Sequence, residues 1–257
     1  MYYMRNKSKA RFGTVDIETT PNESYTWGIY EQDVIKVIRE WHMLSFSVKI
    51  KGGETIVRGL PDYDLYKKDK RNDRELVKEL WGILDGLDIV CGHNIDKFDI
   101  RKINARFIYH GLTLPSPYKT IDTLKVARKV LGLNSNKLTD IAQYLGIGQK
   151  VETGGFKLWE QCMAGDMKAW AVMKKYNKYD VVLTEKVYLR LRPYMASHPN
   201  ENLYNGTTFN CPFCFSSHIQ KRGFHRTQVG VFQKYQCQDC LAWPVGEKIK
   251  QDKVMVK

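Results

Sequence analysis

The segment Thr14-Val15-Asp16-Ile17-Glu18-Thr19-Thr20 sets two carboxylates one residue apart at the end of a stretch that reads as a β-strand. Side chains alternate along a strand, so Asp16 and Glu18 share one face and Val15 and Ile17 the other. Two negative charges so close repel unless water or a cation separates them. The face is therefore either a solvated strand end or a site for a hard metal ion. A second acidic group, His93-Asn94-Ile95-Asp96-Lys97-Phe98-Asp99, directly follows a short apolar strand ending near Cys91. Ligands of open α/β sheets gather where strands give way to helices, which suits Asp99. The structural alternative makes Asp96 an N-cap and Asp99 an ordinary acid of the first helical turn. The third group lies in a long helical stretch, where Met173, Tyr176, Asp180, Leu183 and Val187 recur at three-to-four spacing and fall on one face. An aspartate in such a stripe is costly without a cation. Tyr176, four residues before Asp180, is its neighbour on the helix surface.

A separate chemistry is written near the C-terminus. Cys211-Pro-Phe-Cys214 and Cys237-Gln-Asp-Cys240, with 22 residues between them, have the spacing of a four-cysteine zinc ribbon. With every position filled by thiolate, one Zn²⁺ would be structural, and its binding, worth about 10–16 kcal/mol in comparable sites, would supply the folding energy of so small a module. That leaves His225 outside the ligand set. Lys221, Arg222, His225, Arg226 and Lys234 alternate with Phe224, Phe232 and Tyr235 between the knuckles. Cations for phosphates and rings for bases suit a grip on single-stranded nucleic acid, with a protein-docking ribbon as the alternative. Cys91 and Cys162 stand in apolar contexts and are expected in the core.

The elements that must position these groups follow from periodicity. After a basic, flexible leader (residues 1–10), strands are expected at Ala10–Ile17, Tyr25–Tyr30, Val34–Glu40, Met43–Ile50 and Thr55–Arg58, with Lys51-Gly52-Gly53 as a hairpin turn. A helix over Asp69–Leu87 then opens a β/α alternation: Asp88–Cys91, Asp99–Tyr109, Tyr118–Ile121 and Asp122–Leu131, the last with Asp122 as N-cap. Helices at Lys137–Leu145, Phe156–Met163 and Asp166–Leu191 complete a main domain of residues 11–195; residues 196–208 read as a linker and 209–257 as the ribbon module.

The chain carries a formal charge of +13 on 257 residues. An excess of this size serves polyanions, nucleic acid first and an anionic membrane surface second. No apolar run approaches the roughly 20 residues of a membrane span, which argues against a membrane partner and for a cytoplasmic location.

Taken jointly, Asp16-Ile-Glu18, Asn94-x3-Phe98-Asp99 and Tyr176-x3-Asp180 resemble the three exonuclease motifs of the DEDD superfamily of 3′–5′ exonucleases. A histidine-type member would carry His where Lys175 stands; the tyrosine four residues before Asp180 is the mark of the tyrosine type. Across residues 10–192 the chain is most similar to the exonuclease domain of family B DNA polymerases and its stand-alone relatives, and Thr120–Arg128 and Lys137–Lys150 share in this. The resemblance implies an α/β, RNase H-like mixed sheet flanked by helices, its first three strands antiparallel. It also implies two Mg²⁺ or Mn²⁺ held by Asp16, Glu18, Asp99 and Asp180, with Asp16 bridging and Tyr176 orienting the attacking water. Such ions would activate water and stabilise the pentacoordinate phosphorus and the leaving oxygen. Asn94 and Phe98 match positions near the 3′-terminal nucleotide, although Phe98 suits the core equally well; Lys150 and the Gly154-Gly155 loop are candidates for phosphate contact. His93 is expected to be structural.

The expected function is a metal-dependent 3′–5′ exonuclease, DNA favoured over RNA, acting on single-stranded or frayed 3′ ends with the ribbon assisting. A proofreading role would need a separate polymerase or another replication or repair protein as partner. The competing readings are an RNase H-like endonuclease and a non-catalytic nucleic-acid-binding adaptor, which would need neither the carboxylates nor the tyrosine.

Overall fold

Val15 and Ile17 are buried on one face of β1 (Phe12–Thr19), while its other face turns Asp16 and Glu18 towards a helix. The computed structural model describes residues 10–30, 33–149, 151–205 and 209–249. Five strands form the central sheet in the order β5-β4-β1-β6-β7. Here β4 spans Met43–Ile50, β5 Thr55–Gly59, β6 Ile89–Gly92 and β7 Lys119–Asp122. β1 runs antiparallel to β4 and parallel to β6, and β6 is parallel to β7, so the sheet is mixed as expected.

Two short strands, β2 (Glu23–Tyr25) and β3 (Lys36–Arg39), pair only with each other. The first three strands of the central sheet, β1, β4 and β5, are antiparallel to one another as expected, with β2 and β3 set apart from them. The strand expected over Tyr25–Tyr30 ends at Tyr25, and Trp27, Ile29 and Tyr30 lie exposed because no apolar face covers them.

Helices α1 (Asp64–Lys68), α2 (Arg74–Asp85) and α3 (Asp99–Tyr109) precede α4 (Thr123–Val130), α5 (Leu138–Tyr144) and α6 (Lys157–Ala164). The helix expected from Asp69 begins at Arg74, since Asp73 serves a different purpose. Its buried carboxylate accepts hydrogen bonds from Met43 N–H at 2.8 Å and Arg106 Nε at 2.7 Å, and meets His110 Nε2 at 2.6 Å. Helix α7 (Met167–Leu191), N-capped by Asp166, crosses β5, β4, β1 and β6. At Gly59 a Cβ would meet the Trp170 ring at 3.3 Å, so the missing side chain lets the helix lie close to the sheet. Trp170 and Met173 join one core cluster, and Leu183, Val187 and Leu191 the other.

The C-terminal module is a three-stranded sheet, β10-β9-β8, of β8 (Ile219–Thr227), β9 (Gly230–Cys237) and β10 (Val245–Lys248). The stretch before it holds the short helix α8 (Asn202–Asn205) and is tied to both sides. His198 bonds Tyr188 Oη at 2.8 Å and packs on Phe213, Lys51 pairs with the buried Glu201 at 3.0 Å, and Glu201 N–H donates to Pro212 O. Among the described residues no helix is long and apolar enough to cross a membrane. Nearly all of the leader lies outside the described residues.

Removing one partner of a buried ion pair strands the other charge. Asp73→Ala, which leaves the buried Arg106 uncompensated, should cost about 3–5 kcal/mol in urea unfolding.

Candidate active site

Three elements converge on the end of β1. The strand delivers Asp16 and Glu18 on one face, and its register against β4 shifts between Glu18 and Thr19 as the chain leaves the sheet. From β6 the chain enters α3 through a tight turn in which Asn94 holds φ at 63°, a conformation Asn tolerates better than most residues. Asn94 N–H donates to Asp122 Oδ1 at 3.0 Å, while the same oxygen accepts from Leu124 and Lys125 N–H as the N-cap of α4. Asp122 therefore ties two strand ends together. Asp96 is not the cap of α3; it pairs with Lys125, and Phe98 occupies the capping position. Asp99, buried in the first turn, accepts from Ile17 N–H at 3.1 Å and so is locked to β1 between the two acids.

Helix α7 supplies the third component. Asp16, Glu18 and Asp180 each place a carboxylate oxygen so that all three lie within 4.8 Å of one another. Asp99 falls outside that group, yet its charge is felt at both Asp16 and Glu18. Tyr176 packs edge-on against Trp159, with ring centroids 6.1 Å apart, and lies one helical turn before Asp180, whose charge acts on its hydroxyl. Sequence reasoning missed Asn177. Fully buried, it donates through Nδ2 to Asp16 Oδ2 at 2.5 Å, and its Oδ1 accepts from Ser45 Oγ at 3.3 Å. The signal was a second polar residue, three before Asp180, facing the buried side of the same helix.

Crowding and burial leave these acids reluctant to ionise. Asp16 is pushed well up by burial and then by the charges of Asp99, Glu18 and Asp180. Burial, and then the charges of Asp180 and Asp99, raise Glu18 to about 8; burial raises Asp99 to about 7 and Asp180 to about 6. No Lys or Arg among the described residues pairs with any of them. A set of hard oxygen donors with excess negative charge and no protein cation fits one or more divalent ions such as Mg²⁺ or Mn²⁺. The hydroxyl of Tyr176 is pushed above its ordinary value by burial and by Asp180, so it keeps its proton.

Among the remaining candidates, Asn94 is half-buried in its turn and Phe98 is 39% exposed, placing its ring at the surface and not in the core. Lys150 lies outside the described residues. Gly154 and Gly155 both adopt positive φ, with open space around them. His93 is structural, bridging Thr123 Oγ1 and Asn136 O. Cys91 and Cys162 are buried in the two cores. Away from this site, Cys211, Cys214, Cys237 and Cys240 form a compact cluster with Sγ separations of 3.6 Å (Cys211–Cys240) and 3.7 Å (Cys214–Cys237). Those spacings are far beyond a disulfide's roughly 2.05 Å. They match the edge of about 3.8 Å that four sulfurs at 2.3 Å from one zinc would define.

A mixed five-stranded sheet with acids from β1, the start of α3 and the middle of α7 defines an RNase H-like protein. The family model RNase_H_2, of the RNase_H superfamily, matches residues 43–192, more than half the chain, and the chain belongs to that family. The match begins after Asp16 and Glu18, so the sheet itself links these two to the rest. Among curated proteins the chain is similar to Protein NEN4 of Arabidopsis thaliana, 24% identical over 51% of this chain and 61% of that protein. A DNA polymerase III PolC-type of Thermotoga maritima is 30% identical over 54% of this chain but only 10% of its own length. Protein NEN3 of Arabidopsis thaliana is 35% identical over 30% of this chain and 15% of its own. The chain thus spans less than two thirds of each of these relatives. In fold it is similar to a family B DNA polymerase from the archaeon Pyrobaculum calidifontis, with a TM-score of 0.55 at 16% identity, over 72% of this chain and 25% of the polymerase.

Linkage turns the raised carboxyl groups into a pH dependence. Each binds its proton more tightly in the folded state, so its contribution to stability is complete below the ordinary carboxylate range and is lost as pH rises through about 6 to 8. Without added Mg²⁺ or Mn²⁺ the melting temperature should fall between pH 5 and 8, and the stabilisation gained from either ion should grow over the same interval. A flat metal response in calorimetry would contradict this.

Proposed function

We propose that the protein is a metal-dependent 3′–5′ exonuclease of nucleic acid, DNA favoured over RNA. The observation that carries this is the meeting of Asp16, Glu18 and Asp180 within 4.8 Å, with no protein cation to balance them. Asp16, Glu18, Asp99 and Asp180 would hold two Mg²⁺ or Mn²⁺ ions, with Asp16 shared. When bound, the ions supply charge neutralisation at the phosphorus and a more acidic water. The chain's own groups do the positioning. Asn177 fixes one oxygen of Asp16, so that the other is free to bind. Ile17 N–H does the same for Asp99. Tyr176, which keeps its proton, orients the attacking water by hydrogen bonding and is not its base. Asn94 and Phe98, on the turn that leads into α3 just before Asp99, would contact the terminal nucleotide.

The ribbon, held by one Zn²⁺ on its four cysteines, is read as an auxiliary grip. Phe224 is 48% exposed with Arg226 over its ring, and Lys234 lies over the ring of Trp243. Cations placed beside exposed rings suit a single strand. The PolC-type relatives agree with work beside a separate polymerase. The location is read as cytoplasmic.

Labelled oligonucleotides test the reaction. Asp16→Ala should abolish trimming from the 3′ end in Mg²⁺ or Mn²⁺ without loss of fold, and full activity of that variant would overturn the site. Tyr176→Phe should slow the reaction about 10- to 100-fold at unchanged metal affinity, the loss of a positioning contact. Attack on a circular single strand would favour an endonuclease instead. Deleting residues 209–257 should raise KM more than it lowers kcat.

A further inference from the structure

Beyond its first turn, α3 carries an exposed stripe that plays no part in holding Asp99. Phe98 and Tyr109 are eleven residues apart, which on an α-helix is three turns plus about 20°, so they share a face roughly 16 Å apart. Between them on that face lie Arg101, Lys102 and Ala105. The Lys102 ammonium sits 3.7 Å from the centroid of the Trp41 ring and 5.3 Å from that of Phe98. Among the described residues no carboxylate reaches salt-bridge distance of it. The acids nearby are committed or distant: Asp73 is consumed by Arg106 and His110, Asp96 by Lys125, and Glu40 acts on Lys102 only at long range.

Tyr109 is 72% exposed, yet it is not loose. The Arg106 guanidinium stacks 4.2 Å from its centroid, and the His110 ring meets it edge-on at 4.9 Å. Arg106 is itself fixed by Asp73. A ring backed by a cation that is in turn locked by a buried carboxylate is a prepared stacking surface with one free face. A polar cavity of about 490 Å³ opens beside it, lined by Arg39, Arg71, Arg74 and Arg106 and also by Glu40, Asp69 and Asp73.

We propose that the outer face of α3 is a track for single-stranded nucleic acid, on which a base stacks on Tyr109, three helical turns from the catalytic carboxylates, while Lys102 holds an intervening phosphate. This rests on the exonuclease reading for the placement of the 3′ end at Phe98. At 3.4 Å or more per nucleotide, the stripe accommodates up to about five nucleotides. Binding should therefore weaken sharply for strands too short to reach Tyr109.

The test is fluorescence anisotropy with oligothymidylate of about 12 nucleotides and with a trinucleotide, without added Mg²⁺ or Mn²⁺ so that nothing is cut. Tyr109→Ala should weaken the longer strand by about 5- to 100-fold, the range of one base-aromatic stack, and the trinucleotide much less. Tyr109→Phe should restore affinity, because it keeps the ring. Lys102→Ala should lower the slope of log affinity against log salt by about 0.7, one phosphate contact. Equal losses for both lengths, or an unaltered slope together with unaltered affinity, overturn the track. The parent readings separate cleanly. Wild-type protein that binds the longer strand through Tyr109 but never trims it retains the track and loses the exonuclease; wild type that trims while Tyr109→Ala binds normally loses the track alone.

Discussion

Electrostatic repulsion among four carboxylates is the constraint on which this architecture turns. Asp16, Glu18, Asp99 and Asp180 come from three elements far apart in sequence; burial raises all four, and the charges of the other acids add to this at Asp16 and Glu18. Such a cluster would push its own supports apart if they were not held independently. The sheet, with apolar packing on both faces and α7 laid across four of its strands, provides that independence. The charges are then tolerated because each element is fixed by contacts other than those at the site.

Hydrogen bonds refine what the packing roughly aligns. Ile17 N–H holds Asp99, Asn177 holds Asp16, and Asp122 joins the turn after β6 to the start of α4. None of these links uses a positive charge. That leaves the negative potential of the cluster intact for an ion to neutralise, whereas a lysine in the same place would have competed with it.

Much of this was legible in the sequence, because strand and helix periodicities are local. The alternation in Val15-Asp16-Ile17-Glu18 and the three-to-four spacing around Asp180 needed no tertiary knowledge, and the knuckle spacing located the four cysteines. Other features were hidden for definite reasons. Asn177 reads as an ordinary helical amide until Ser45 and Asp16 are brought beside it. Asp73 falls inside the stretch whose periodicity reads as helix, and only the approach of Arg106 from α3 reveals the buried ion pair it makes. The apolar residues of Tyr25–Tyr30 suggest a strand, but a strand needs a surface to cover, and this segment has none. The stripe on α3 depends on Trp41, which arrives from a different part of the chain.

Asn177 has one more implication. By joining β4, α7 and β1 through a single amide, it makes docking of the long helix and construction of the site one event. Loosening of the cluster would therefore have to break a bond that also fastens the buried face of the helix to the sheet. The β2–β3 hairpin and the cysteine-bound sheet lie beyond the reach of that amide; an ion pair from Arg71 to Glu23 fastens the first to the main domain, and Glu201, paired with Lys51 and bonded to Pro212 O, fastens the second.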